Sequence, residues 1–210
     1  DCCKILFMIG RVVKIFSDFY YVETQTGIVE CKLRSVLKKQ KEDVLTGDYV
    51  EIEQFDQGSM QAFISKVVER KNLISRPKVA NISQVIIVSA LKEPDLNFEQ
   101  LDRYIALCEY HKIIPVLCFN KEDIQENSEL RDEILNIYQP LNYKVVFTSA
   151  LKKTGIEELK PILKNNTSIL CGSSGVGKSS LINALLNSSK LRTLPVSEKT
   201  KRGVHTTRHC

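Results

Sequence analysis

The chain has 210 residues, 43% apolar and 26% charged, with a net charge of +5. That length and composition suit two compact domains rather than one, each with its own core. No apolar run approaches the roughly 18 to 20 residues that cross a bilayer, and no signal-peptide pattern opens the chain, so a soluble, cytoplasmic protein with no membrane partner is expected.

Residues 9 to 69 alternate in short apolar-polar segments: Ile9 to Phe16, Phe19 to Thr24, Ile28 to Arg34, Asp48 to Gln54 and Gln61 to Glu69. Turn pairs such as Ser17-Asp18, Thr26-Gly27, Thr46-Gly47 and Gln57-Gly58 break them. Five short strands with such punctuation predict a small all-β barrel, for which an oligonucleotide-binding fold is the natural candidate. A stripe of Arg11, Lys14, Lys32, Arg34, Lys38, Lys39 and Lys41, with Tyr20 and Tyr21 available for stacking, suits RNA. Ordinary solvated strand edges and a lysine-rich loop account for it equally well. Lys71 to Pro77 reads as a linker with an extended lead-in at Arg76-Pro77, which puts the domains at residues 1–72 and 73–210.

The second part reads as strand 85–90, helix 98–111, strand 113–119, helix 128–139, strand 143–148, helix 156–164, strand 167–171 and helix 178–189, a doubly wound α/β pattern. The apolar run Ile113 to Phe119 is suited to a parallel strand buried on both faces, and Asn120-Lys121-Glu122-Asp123 comes directly after it. In a parallel sheet, ligand groups gather just past the carboxyl ends of the strands. An ionised Asp123 can accept both N–H donors of a guanine edge, a pair that adenine lacks. A strand ending in Ser-Ala should supply a backbone N–H to the guanine carbonyl. Two copies exist, at Ser89-Ala90 and Ser149-Ala150. The order of such elements in GTPases selects Ser149 and Ala150.

Gly172-Ser173-Ser174-Gly175-Val176-Gly177-Lys178-Ser179, with Ser180 next, sits between the apolar run Thr167 to Cys171 and a helical pattern at Leu181, Ile182, Leu185 and Leu186. Glycines there let successive N–H groups point at one anion, and the helix amino terminus adds partial positive charge. Lys178 is placed to reach the β- and γ-phosphates, and the Ser179 hydroxyl to bind Mg²⁺. The pairing implies GTP or GDP with Mg²⁺. An ATP-using P-loop kinase stays open as an alternative, as does a guanine-nucleotide-sensing, RNA-binding module with little or no hydrolysis.

Charge is uneven. Residues 1–75 hold 11 basic and 11 acidic side chains, residues 76–159 hold 10 and 13, and residues 160–210 hold 9 and 1. The positive field thus surrounds the phosphate loop and residues 180–210. The seven cysteines lack regular spacing, which argues against a disulfide framework and against zinc within these residues. Cys31, Cys108, Cys118 and Cys171 lie in apolar runs as small hydrophobes.

The guanine signal precedes the phosphate loop, the reverse of the usual order. With Arg76-Pro77, Val79-Ala80-Asn81, Asn120 to Asp123, Thr148-Ser149-Ala150, Gly172 to Ser180 and Gly203-Val204-His205-Thr206-Thr207, the chain resembles the circularly permuted, small-subunit-dependent GTPases of bacteria. The resemblance implies slow GTP hydrolysis stimulated by the small ribosomal subunit and its rRNA, a role in late maturation of that subunit, and a monomer. It implies that residues 203–207 form switch I, with Thr206 or Thr207 on Mg²⁺ and His205 positioning the attacking water beside the catalytic Lys178. The family's Asp-x-x-Gly is not found after the phosphate loop, and its zinc spacing, Cys-x4-Cys-x-His-x5-Cys, is not matched. Zn²⁺ is therefore expected only in the family's carboxyl-terminal module, which these residues lack. Continuation of the polypeptide past residue 210 is expected too, because otherwise the phosphate-loop strand ends its sheet.

Overall fold

Alternating side chains between tight turns make the first part of the chain β-structure, and the pattern of burial shows which face turns inward. In the computed structural model the described residues are 6–40, 43–54, 62–75, 78–124 and 128–188. Strands β1 (Leu6–Phe16), β2 (Phe19–Thr24), β3 (Gly27–Leu33), β4 (Tyr49–Gln54) and β5 (Ala62–Val67) close into a barrel of order β1-β2-β3-β5-β4. The long β1 pairs with both β2 and β4, and a register shift between Val12 and Lys14 bends it to do so. Val12, Val22, Val50, Ile52 and Ile64 are fully buried inside. Each such side chain is worth about 1.5 to 3 kcal/mol in apolar surface removed from water. Helix α1 (Ser35–Gln40) comes after β3, and its Leu37 completes the core.

The five barrel strands lie where the sequence puts them. Two features differ from it. The lysine-rich stretch after β3 is helical from Ser35, and the linker region contains a hairpin, β6 (Leu73–Ser75) with β7 (Lys78–Ala80). Side-chain amides tie that hairpin to the barrel. Asn81 Nδ2 donates to Gly47 O at 2.9 Å, and its Oδ1 accepts from Lys71 N at 2.9 Å. Asn72 brackets Ile82, accepting from its N–H and donating to its carbonyl, each at 2.8 Å. The chain accordingly divides between Ile82 and Ser83, ten residues after the 72/73 boundary read from sequence.

In the second unit, β8 (Gln84–Ala90), β9 (Ile114–Asn120), β10 (Lys144–Phe147) and β11 (Ser168–Cys171) form a parallel sheet of order β10-β9-β8-β11. Helices α2 (Phe98–Tyr110), α3 (Glu129–Tyr138) and α4 (Ile156–Leu163) connect the strands, and α5 (Lys178–Ser188) comes after β11. The central strands are buried almost throughout, as parallel strands covered on both faces should be. Gln84 and Asn120 are the buried polar residues of these two strands, and the Gln84 amide donates to Ile162 O and Ser168 Oγ, both at 2.8 Å. Among the described residues β11 pairs only with β8, so it ends the sheet, as the sequence implies. The pairs Ala90 with Asn120, Phe119 with Phe147 and Ile87 with Cys171 bring the carboxyl ends of all four strands to one edge. Circular permutation is therefore a matter of connectivity alone, since packing depends on which strands adjoin and not on their order along the chain.

Candidate guanine-nucleotide site

At that edge the loop between β11 and α5 turns sharply. Gly172 has φ +142, and a Cβ there would lie 2.0 Å from Val88 O; Gly177 has φ +92, and a Cβ there would lie 2.3 Å from Asn120 Nδ2. Both positions exclude side chains by conformation and by contact. Between them Val176 is buried against the core, while Ser174 and Gly175 are exposed. Ser179 and Ser180 are exposed in the first turn of α5, where unpaired N–H groups and the helix dipole favour an anion.

Lys178 is buried, and its Nζ donates to Gly172 O at 2.9 Å and Ser173 O at 2.6 Å, across the base of the loop. Burial lowers its pKa, with the neighbouring Cys171 thiol acting in the opposite direction. A buried ammonium held, among the described residues, by carbonyl dipoles is a poised anion receptor, because a phosphate supplies the opposite charge that burial leaves uncompensated. The glycine cradle, the Lys178 amine and the exposed Ser179 hydroxyl fit a nucleotide phosphate with its Mg²⁺.

The candidate base-reading elements come off β9 and β10. Asp123 lies in the 3-10 turn Glu122–Ile124, exposed, with Oδ1 accepting from Ser149 Oγ. Lys121, at φ +64, extends its Nζ to Glu93 O. Asn120 is only 1% exposed, and its side chain is spent on the protein. Its Nδ2 donates to Val176 O at 2.9 Å, and its Oδ1 accepts from Ala150 N at 3.1 Å and Thr148 Oγ1 at 3.2 Å. One amide thus ties the phosphate loop, the Asn-Lys-x-Asp turn and the Ser-Ala turn together.

The sequence-derived residues on described positions, Asn120, Lys121, Asp123, Ser149, Ala150 and Gly172 to Ser180, therefore converge at one edge of the sheet. Two details differ from expectation. Asn120 holds the loops and does not present itself outward. The N–H groups of Ser149 and Ala150 are bonded to Thr154 O at 3.1 Å and to Asn120 Oδ1 at 3.1 Å. Sequence reasoning gave Thr148 no role of its own beside Ser149 and Ala150, and it passed over Glu93 and Gln100, of which Gln100 Oε1 accepts from Ser173 Oγ. Nothing in α2 signalled this, since its amphipathic pattern accounts for every residue. His205, Thr206 and Thr207 lie outside the described residues. Among the described residues no three His, Cys, Asp or Glu side chains cluster as a metal site.

Comparison with known proteins places this geometry. Residues 67–210 match the RsgA GTPase family, and residues 9–63 match the RsgA N-terminal domain. The chain is 43% identical to the small ribosomal subunit biogenesis GTPase RsgA of Caldanaerobacter subterraneus subsp. tengcongensis, over 95% of this chain and 66% of that protein. It is 41% identical to the protein of the same name from Shouchella clausii, over 95% of this chain and 68% of that one. It thus spans about two thirds of the length of these relatives. The crystal structure of YjeQ from Thermotoga maritima matches with a TM-score of 0.81 at 40% identity, over 89% of this chain and 68% of that one. That of YloQ, a circularly permuted GTPase, matches with a TM-score of 0.78 at 29% identity, over 89% and 67%. With both of its parts matched in order, and the permuted site assembled by Asn120, the chain belongs to the RsgA GTPase family.

Proposed function

We propose that this chain binds the small ribosomal subunit and hydrolyses GTP to GDP and phosphate during late maturation of that subunit, in the cytoplasm. The observation that carries the nucleotide assignment is the Asn120 amide, which brings base reader and phosphate cradle to a single site. The names of the relatives supply the ribosomal part.

In this reading Asp123 accepts the guanine N–H pair, and the loop amides from Gly172 to Lys178 hold the phosphates. Lys178 turns from Gly172 O and Ser173 O to the β- and γ-phosphates, where its charge stabilises the negative charge that builds up as the bond to the leaving oxygen breaks. The Ser179 hydroxyl and Thr206 or Thr207 would hold Mg²⁺, which would supply further neutralisation of the phosphate oxygens. His205 orients the attacking water, and contact with the small subunit stimulates that step. The barrel contributes an RNA-facing surface. Its cations sit over exposed or half-exposed rings: Arg11 is 5.5 Å from the Tyr49 centroid, Lys14 5.2 Å from Tyr21 and Lys32 5.1 Å from Phe19. Such pairs suit stacked bases and backbone phosphates alike.

The test is GTP turnover measured with and without purified small ribosomal subunits. Turnover rising at least tenfold with subunits, at a rate set by Lys178, supports the assignment. Equal rates remove the ribosome from the mechanism.

A further inference from the structure

One segment outside the two nucleotide motifs touches both of them. Glu93, in the turn after β8, accepts Lys121 Nζ on its carbonyl. Pro94 Cδ lies 3.8 Å from where a Cβ on Gly175 would stand, at the tip of the phosphate loop. Gln100, in the first turn of α2, accepts Ser173 Oγ at 2.5 Å. The start of that helix is fixed by Asn97, whose side chain accepts from Gln100 N at 2.9 Å. One helical turn further along, the Tyr104 phenol also meets the Ser173 side chain. Burial and then the Cys171 thiol push its pKa up, and the Ser173 hydrogen bond partly offsets them.

Ser173 is therefore held at two points, by α2 at its hydroxyl and by Lys178 Nζ at its carbonyl. The two holds respond differently to a nucleotide. An ammonium that swings to the phosphates gives up the Ser173 carbonyl, whereas the Gln100 contact involves no group that the nucleotide needs. The hold from α2 on the Ser173 side chain then persists.

The geometry points to Gln100 as a positioning residue of the nucleotide site. Acting through Ser173, it keeps the first half of the phosphate loop in its anion-binding shape while Lys178 engages the nucleotide. The segment from Glu93 to Gln100 braces the two motifs from outside, as Asn120 does from within. This rests on the guanine-nucleotide reading of the site, and a displacement of the segment from Glu93 to Gln100 would loosen its contacts with both motifs together.

The test is a double-mutant cycle on Gln100→Ala and Ser173→Ala, read by stopped-flow dissociation of a fluorescent GDP analogue, with melting of the nucleotide-free protein as the structural control. Loss of one hydrogen bond predicts dissociation faster by about threefold to tenfold in Gln100→Ala. The association rate and the melting temperature are expected to stay constant, and the double variant to dissociate no faster than the faster single variant. Unchanged dissociation in Gln100→Ala, or single effects that multiply in the double variant, would overturn the proposal. So would a lowered melting temperature that accounts for the whole change. Amide hydrogen exchange at residues 172–175 of the nucleotide-free protein decides the brace independently: it is expected to quicken in Gln100→Ala, and an unchanged rate refutes it. Failure of the unsubstituted protein to bind GDP would refute the functional reading, while the exchange experiment would still judge Gln100.

Discussion

Asn120 shows how much one buried side chain can carry. Its amide makes one donated and two accepted hydrogen bonds to two other loops, in a place that is 1% exposed. Asn120→Ala leaves Val176 O and Ala150 N without those partners, and a buried polar group so stranded costs about 1 to 3 kcal/mol. The variant is expected to lose about 2 to 4 kcal/mol of stability in urea denaturation, and to bind GDP at least tenfold more weakly. A variant that loses nucleotide while keeping full stability would show that Asn120 contacts the base and is not a bracket. Gly177 gives the complementary case: Gly177→Ala drives a Cβ against Asn120 Nδ2, so nucleotide binding is expected to fall with both partners otherwise intact. The residue types at this site were legible in the sequence because phosphate and guanine recognition demand glycines, a lysine and a carboxylate at set spacings. The division of labour among them was not, since whether an asparagine faces ligand or protein depends on neighbours about 30 and 56 positions away.

Among the elements, long periodic segments were the legible ones. The four parallel strands and their helices lie within a residue or two of the positions read from sequence, because burial on both faces imposes continuous apolar runs and helices need an apolar stripe. Three short pieces, α1, β6 and β7, were missed: none shows a clear period, and the hairpin is fastened by the Asn72 and Asn81 amides as well as by burial of Val79 and Ala80. The cysteines of this sheet and helix layer make a further prediction. Burial is the first cause that pushes the Cys108 and Cys118 thiols up to about 11, and the Cys171 thiol up to about 12, from an ordinary value of 9.0. A raised folded pKa means the neutral thiol is favoured in the folded state. Stability from these groups is thus complete below pH 9.0 and falls as pH rises toward 11 to 12. The thermal midpoint is expected to be lower at pH 10.5 than at pH 8, with Tyr138, also raised by burial, acting in the same direction. A midpoint that stays level over this interval would contradict the burial of these groups.

At the scale of the molecule, the chain is two units, each with its own core and its own polar fastenings. In the first, Arg70 binds Asp48 through Nε at 2.7 Å and Nη2 at 2.8 Å, with the Asp48 side chain fully buried and also accepting Leu45 N at 2.7 Å. Arg70→Ala strands that carboxylate. The cost is about 2 to 4 kcal/mol, at the lower end of values for a broken buried pair because Arg70 is 25% exposed. Calorimetry should show a destabilised barrel while GDP affinity holds, and a parallel loss of nucleotide binding would contradict independent cores. In the second unit, the proposed reading is that a base reader and a phosphate cradle in inverted chain order serve one guanine nucleotide. The most direct measurement is competition binding of guanosine and xanthosine diphosphates to the protein and to Asp123→Asn. The new amide should weaken GDP at least tenfold and admit XDP, whose C2 carbonyl meets the introduced N–H donor. Unchanged preference for GDP in Asp123→Asn would contradict the account.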